Sequence, residues 1–248
     1  MEDLVSETAL IKLSRLVALR RELDAVANNV ANVETTGFKA KRVRFQEYLA
    51  PVERAEITSK PERPVSLVAA DAGFTDFSKG APQVTGSPLD VAIDGDAFFV
   101  VQTPAGERYT RNGAFTLDSA GRLVTMAGDP VLTTTGPLAL SPQEGEARIG
   151  ADGVISTRQG PRGRLRLVRF EAPQNLQAHG GNLFRSDQPP RELAAGSVRL
   201  FQGALEKSNV QATLEMSRLV EINRAYQLVS SLLKEDGDLD ELKRLAEF

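Results

Sequence analysis

The sequence predicts an α+β fold: N- and C-terminal helices pairing as a coiled-coil-like domain, with a mainly antiparallel all-β central domain between them. Three observations predict it. Leu16, Leu19, Leu23, Val26, Val30 and Val33 recur at spacings of 3, 4, 3, 4 and 3, the a/d seam of a packed helix. Near the other end, Ala212, Leu219, Ile222, Tyr226, Val229 and Leu233 fall on a matching seam, with Glu215 its one polar member. Between the seams, short apolar runs alternate with turn-forming pieces, the pattern of β-structure.

Residues 1–39 form the first element. Leu10, Leu13 and Val17 extend its apolar surface, while Arg15, Arg20, Arg21, Glu22 and Asp24 lie off the seam. The helix is expected to stop near Glu34 to Thr36, with Gly37 ending it as a positive-φ turn residue and Phe38 anchoring that turn. Residues 40–75 read as an extended connector with little helix, because prolines stand at 51, 61 and 64. Residues 76–200 form a β-rich domain. Its strand candidates are Val91-Ala92-Ile93, Phe98 to Val101, Arg108-Tyr109-Thr110 and Leu123-Val124. The pieces PAGE, DSAG and ADGV supply hairpin-type turns. A later strand holds Leu165, Leu167 and Val168, with Arg164 and Arg166 alternating outward. Residues 201–248 return to helix, with Ser208 and Gln211 reading as the capping box that starts it. The acidic Glu235-Asp236-Gly237-Asp238 interrupts this helix, and a short final helix is expected over Leu239 to Leu245.

Composition excludes several function classes. The 248 residues suit one large domain or two smaller ones, and 41% hydrophobic content supports a core. A net charge of −3 lacks the whole-chain basic footprint of a nucleic-acid binder. With no cysteine, disulfides and thiolate metal sites are excluded. No run of 18 apolar residues predicts a membrane-spanning helix. The opening MEDLVSETALIKL has no basic n-region, unbroken apolar h-region or small-residue cleavage site. Any export is therefore expected to use a route that cleaves no signal peptide.

No catalytic, cofactor-binding or metal site is expected. His179 is the only histidine, so neither HExxH nor a multi-histidine metal site can form, and no GxSxG accompanies it. Asp94-Gly95-Asp96 and Asp236-Gly237-Asp238 lack EF-hand spacing and read as turn chemistry and solvated charge. Arg162, Arg164, Arg166 and Arg169 make a basic patch without the interleaved aromatics of a nucleic-acid surface. A carboxylate-pair hydrolase acting on peptidoglycan is formally open, but no spacing singles out a pair.

The stretch ANNVANVETTGFK, Ala27 to Lys39, raises a different question. Asn28, Asn29 and Asn32 crowd the end of a good helix, although asparagine favours caps and turns. Two readings stand: helix-end capping, or amides that bond to neighbouring subunits beside an apolar seam. Lys39, Lys41, Arg42 and Arg44 likewise read either as a solvated face or as partners for acidic surfaces of adjacent subunits.

Three blocks carry a family resemblance. ANNVANVETTGFKA with FQEYL at 45–49 resembles the N-terminal signature of the flagellar rod and hook proteins. LDVAIDGDAFFVVQTPAGERYTRNGAFTLDSAGRLV at 89–124 looks like their β-domain signature, and GALEKSNVQATLEMSRLVEINRAYQ at 203–227 like their closing helix. Within the family, the chain resembles the mid-length rod members, the proximal type ahead of the distal. It departs where the family commonly has Asn at Glu34 and Gly at Ala97. The resemblance implies a structural, self-assembling rod subunit of the basal body rather than an enzyme, without cofactors. It implies terminal helices that line a tube around the export channel and an outward β-domain. The implied partners are other copies of the chain, other axial rod proteins and the flagellar type III export apparatus. The implied packing residues are Leu16, Leu19, Leu23, Val26, Asn28, Asn29, Val30, Asn32, Val33, Leu219, Ile222, Tyr226, Val229 and Leu233. Gly37 and Phe38 are the turn and anchor.

Overall fold

The computed structural model describes residues 2–50, 65–70 and 73–235. The chain divides into two compact units, one of Met1–Ala31, Lys41–Phe74 and Gln211–Phe248, the other of Asn32–Ala40 and Thr75–Val210. Among the described residues there are two α-helices, one near each end, and the strands between them pair mainly antiparallel.

The first unit holds both helices, α1 (Glu2–Ala31) and α2 (Ala212–Glu235). On α1, Val26 is buried and Leu16, Leu19, Leu23 and Val30 are half-buried, so these residues lie on the more covered side of the helix. The small Ala9 and Ala18 are buried as well. On α2, Glu215, Ile222, Val229 and Leu233 are buried, and Leu219 and Tyr226 half-buried; Ala212 is exposed. Side-chain bonds join the helices at two levels. Arg218 Nη2 donates to Glu22 Oε1 at 2.7 Å, and Asn29 Nδ2 donates to Glu215 Oε2 at 3.1 Å. As α1 is retraced from 29 to 22, α2 advances from 215 to 218, so the two run antiparallel. The strands Phe45–Ala50 and Val65–Ala70 also belong to this unit and pair antiparallel from Phe45↔Ala70 to Ala50↔Val65. They fall within the stretch that reads as a connector. The prolines at 51, 61 and 64 and the expected helix over Leu239 to Leu245 lie outside the described residues.

The second unit is built on a six-stranded sheet. Its order is Gln177–Ala178, Leu183–Arg185, Gly106–Thr110, Phe98–Thr103, Leu167–Arg169 and Arg191–Glu192. The Phe98–Thr103 strand lies inside the sheet and is apolar on both faces, as a doubly covered strand must be. Phe99 and Val101 enter one core with Phe115, Leu123, Val131 and Ile155. Phe98 and Val100 enter another with Tyr109, Phe170 and Phe184. The second core is rich in edge-to-face ring contacts, such as Tyr109 on Phe170 at 4.8 Å between centroids.

The three predicted turns close hairpins. Pro104-Ala105 joins strands paired at Thr103↔Gly106. Asp118 accepts from the backbone of Ala120 and Arg122 at 2.9 and 2.8 Å, which ties the DSAG turn. Asp152 does the same for Val154 in ADGV, at 3.1 Å.

Three local expectations need correction. Helix α1 ends at Ala31, earlier than Glu34, because the next residues form a turn in which Thr35 N bonds to Asn32 O at 3.1 Å. Ser208 does not cap a helix: its Oγ accepts from Val210 N at 3.2 Å, a local turn, and α2 starts at Ala212. The strand expected through Leu165 to Val168 is split into Gly160–Arg164 and Leu167–Arg169.

Candidate functional site

The asparagine-rich helix end and the basic run after it are resolved into two buried polar nodes, one in each unit. In the first unit, Asn29 is fully buried. Its Oδ1 accepts from Lys41 N at 2.7 Å, and its Nδ2 donates to Lys41 O at 2.9 Å. The amide thus pairs with the backbone of Lys41 as a neighbouring strand would, satisfying one donor and one acceptor at once. Its second N–H reaches Glu215, the polar member of the α2 seam. Arg42 Nη1 bonds the other oxygen of Glu215 at 2.7 Å. A buried carboxylate needs such partners. Glu215 therefore breaks the apolar seam in order to hold the chain that follows α1.

The second node lies in the other unit around Glu206, which ends the strand Ala204–Glu206. Lys39, Arg111 and Glu206 are all buried. Lys39 Nζ donates to Glu206 Oε1 and to Ser78 O, both at 2.6 Å. Gly80 N adds a bond to Oε1 at 3.0 Å, and Arg111 Nε reaches Oε2 at 2.8 Å. Two cations face one carboxylate, leaving one excess positive charge. Backbone carbonyls of Gly95, Ala97 and Ile93 accept from the Arg111 guanidinium and disperse it. Burial holds the Lys39 ammonium below the ordinary lysine range, against the opposing pull of Glu206.

Gly37 and Phe38 stand beside this node. Gly37 has φ of +67°, and its N–H donates to Glu206 O at 2.7 Å. A Cβ there would lie 2.6 Å from the backbone nitrogen of Asn112, so glycine is required by both conformation and space. Phe38 is buried with Ala40 and Val210, and Val33 packs against them.

These positions revise the two readings of the motif. The Asn29 amide bonds within its own chain. Asn32 serves the turn: its Oδ1 accepts from Thr35 Oγ1 at 3.1 Å. Asn28 is half-buried near the same helix end. Of the basic run, Lys39 and Arg42 pair inside the chain, Arg44 lies over the Phe74 ring at 5.5 Å, and Lys41 is exposed. With Lys39 buried and Arg42 paired to Glu215, a solvated face does not describe the run as a whole. Sequence reasoning missed Arg111 and Glu206. The one local signal is that Glu206 shares the inward phase of its strand with buried Ala204.

The remaining candidates are not brought together. His179 is exposed on a loop. Asp94 Oδ1 meets Lys79 at 3.3 Å on the surface. Arg162 pairs with Glu144, and Arg166 with both Glu107 and Glu192, so the arginine patch is largely a set of local ion pairs.

Much of the large side-chain surface left open on the helices is apolar. With the seam of α2 covered, Leu214, Met216, Val220, Leu228 and Leu232 are exposed on its other sides, Leu214 by 62% and Leu228 by 61%. On α1, Leu10, Ile11, Leu13 and Val17 are exposed too.

Comparison with known proteins places this architecture. Residues 10–39 match the family described as flagella basal body rod protein. Residues 92–157 match the flagellar hook protein FlgE/F/G D1 domain, and residues 202–241 the flagellar basal body rod FlgEFG protein C-terminal region. The chain belongs to the flagellar basal-body rod protein family. It is 38% identical to the flagellar basal-body rod protein FlgF of Caulobacter vibrioides, over 92% of this chain and 93% of that one. Identity to FlgF of Rhizobium meliloti is 37%, over 93% of each chain. Identity to the rod protein FlgG of Bacillus subtilis is lower, 33% over 94% of this chain and 96% of that one.

Proposed function

We propose that the chain is a structural subunit of the bacterial flagellar basal-body rod, of the FlgF or proximal type, with the FlgG or distal type as the second choice. One observation carries this reading. Beyond its covered seam, α2 leaves five large apolar residues, Leu214, Met216, Val220, Leu228 and Leu232, exposed among polar ones such as Arg218, Glu221 and Arg224. Large apolar residues gathered in the open on one helix mark a surface for packing against another protein. Burying such a side chain contributes roughly 1.5–3 kcal/mol, so these residues favour further packing.

In this reading α1 and α2 pair along their seams as a coiled-coil-like axial domain. Leu16, Leu19, Leu23, Val26, Val30, Leu219, Ile222, Tyr226, Val229 and Leu233 shape that pair, and the outer apolar residues meet other copies and other rod proteins. Close packing of this kind transmits torque along a drive shaft and encloses an export channel. The β-rich unit faces outward, and the subunit reaches the basal body through the flagellar export apparatus. Its role needs no catalysis.

The test is assembly. Leu219→Asp and Leu23→Asp each put a charge into the covered seam. Each is expected to abolish rod assembly and swimming while the β-rich unit keeps its near-ultraviolet circular dichroism. Normal motility in either variant overturns the seam assignment. Intact basal bodies in a strain lacking the protein overturn the rod reading itself.

A further inference from the structure

We propose that Arg169 and Arg191 form a docking site for a carboxylate carried by an acidic segment of a neighbouring protein subunit. The observation is a pair of arginines that face each other without a partner. Arg169 and Arg191 are direct partners across the antiparallel ladder between Leu167–Arg169 and Arg191–Glu192. Both are exposed, and neither side chain makes a hydrogen bond or ion pair among the described residues. Like charges placed directly opposite destabilise a sheet. Every other member of the arginine patch singled out in the sequence has found a partner. Arg162 bonds Glu144, Arg166 bonds Glu107 and Glu192, and Arg164 bonds Leu193 O.

The obvious internal counter-charge is already engaged. Glu192 is the ladder neighbour of Arg191, but its Oε1 accepts from Arg166 Nε at 2.8 Å and from Nη2 at 2.6 Å. Asp96 borders the same space and bonds neither arginine. The two arginines instead line a cavity of about 510 Å³. Its other walls include Glu192, Leu193 and Val198. Gly95 makes this wall possible: a Cβ on it would lie 2.5 Å from Val198 Cγ1.

The chemistry selects the occupant. Two guanidinium groups offer planar forks of N–H donors that match a carboxylate in bidentate fashion. The apolar wall and the size of the cavity suit a side chain with its flanking residues better than a bare ion. Asp96 repels negative charge at its own border, and the Glu192 carboxylate in the same wall is drawn to Arg166, so an acidic residue would be directed to the arginine pair. The site is on the outer strand of the sheet, where another subunit has access. The partner deepens the rod-subunit reading and rests on it.

The experiment uses the full-length chain and a fluorescein-labelled peptide alternating glutamate with leucine. Its controls are the same peptide with glutamine for glutamate, and inorganic phosphate as competitor. The acidic peptide is expected to bind at least tenfold tighter than the neutral one, and Arg169→Gln or Arg191→Gln to weaken it at least tenfold. Arg148→Gln, a surface arginine outside the cavity, should leave affinity unchanged, and Asp96→Asn should raise it. Removing one arginine should not lower the melting temperature, which separates lost docking from lost folding. Equal binding of acidic and neutral peptides, or insensitivity to both arginine changes, overturns the proposal. So does displacement by phosphate at the concentration of the peptide, because the cavity would then take free anions. Peptide binding is read in solution, whereas the rod reading is judged by basal bodies in cells, so the two can fail separately.

Discussion

Replacing Glu206 by glutamine tests the buried node of the β-rich unit most directly. The side chain keeps its shape, but one of its two acceptor oxygens becomes a donor. In the native chain Oε1 accepts from Lys39 and Gly80, and Oε2 accepts from Arg111. Whichever way the amide turns, a donor meets a donor, and two buried cations lose their counter-charge. Breaking a buried pair by removing one partner costs about 3–5 kcal/mol. Lysine has an escape: it can lose its proton. At about 1.36 kcal/mol per pH unit and an unfolded pKa near 10.4, neutralising Lys39 at pH 7 costs about 4.6 kcal/mol. At pH 9 the same step costs about 1.9 kcal/mol. The sign follows from proton counting. The folded variant would bind fewer protons at Lys39 than the unfolded chain, so its stability rises with pH below the ordinary lysine pKa. The native protein shares this direction in weaker form, since burial already lowers Lys39, within the window between its lowered value and the ordinary one. The gap between variant and native chain should therefore narrow by up to about 2.7 kcal/mol from pH 7 to pH 9. Urea unfolding followed by circular dichroism at both pH values reads it. A loss below about 1 kcal/mol at pH 7, or a gap that does not narrow, would refute the node as a charge-balanced tie.

Two further substitutions probe the helix end and its turn. Gly37→Ala forces a Cβ onto a left-handed residue, at about 1–2 kcal/mol for the conformation alone, and against the backbone of Asn112 besides; a melting temperature within about 1 °C of native, roughly 0.3–0.5 kcal/mol, would contradict this. Asn29→Ala leaves Lys41 N, Lys41 O and Glu215 short of a partner and should cost about 1–3 kcal/mol. Hydrogen exchange at the Lys41 amide should accelerate in that variant, and unchanged protection there would show that the amide does not pair with this backbone.

The helices and the first core strands were legible because their signals are local. A 3/4 apolar spacing marks a covered helix side whatever covers it, and Val26, Ile222, Val229 and Leu233 are indeed buried. The run FFVV declares a strand covered on both faces, and it is one. The polar nodes were not legible, because their members are far apart in sequence. Lys39 is separated from Glu206 by 167 residues, and Arg111 from Glu206 by 95. Each residue type is ordinarily found on a surface, so nothing local marks it as buried. The split near Arg166 has a similar origin. Its bonds to Glu107 and Glu192 depend on two other segments of the sheet, which no alternation within its own strand reveals.

The roles of polar and apolar residues at the helix end are therefore the reverse of what composition alone suggests. The asparagine and the charges look like recognition groups, yet Asn29, Lys39 and Arg42 are consumed in fixing their own chain. Directional bonds suit that task, because a buried amide or ion pair is costly in any geometry but one. Leucines, valines, an isoleucine and a methionine on the open sides of α1 and α2 are left over for apolar contact. Apolar attraction is non-directional and scales with area. A subunit that must pack against more than one kind of neighbour gains from this arrangement: its internal geometry is set by polar ties, and its outer helix faces accept whichever apolar surface adjoins them. The specificity that apolar packing cannot supply then has to come from elsewhere, and the unpaired arginines at 169 and 191 are the charged feature best placed to supply it.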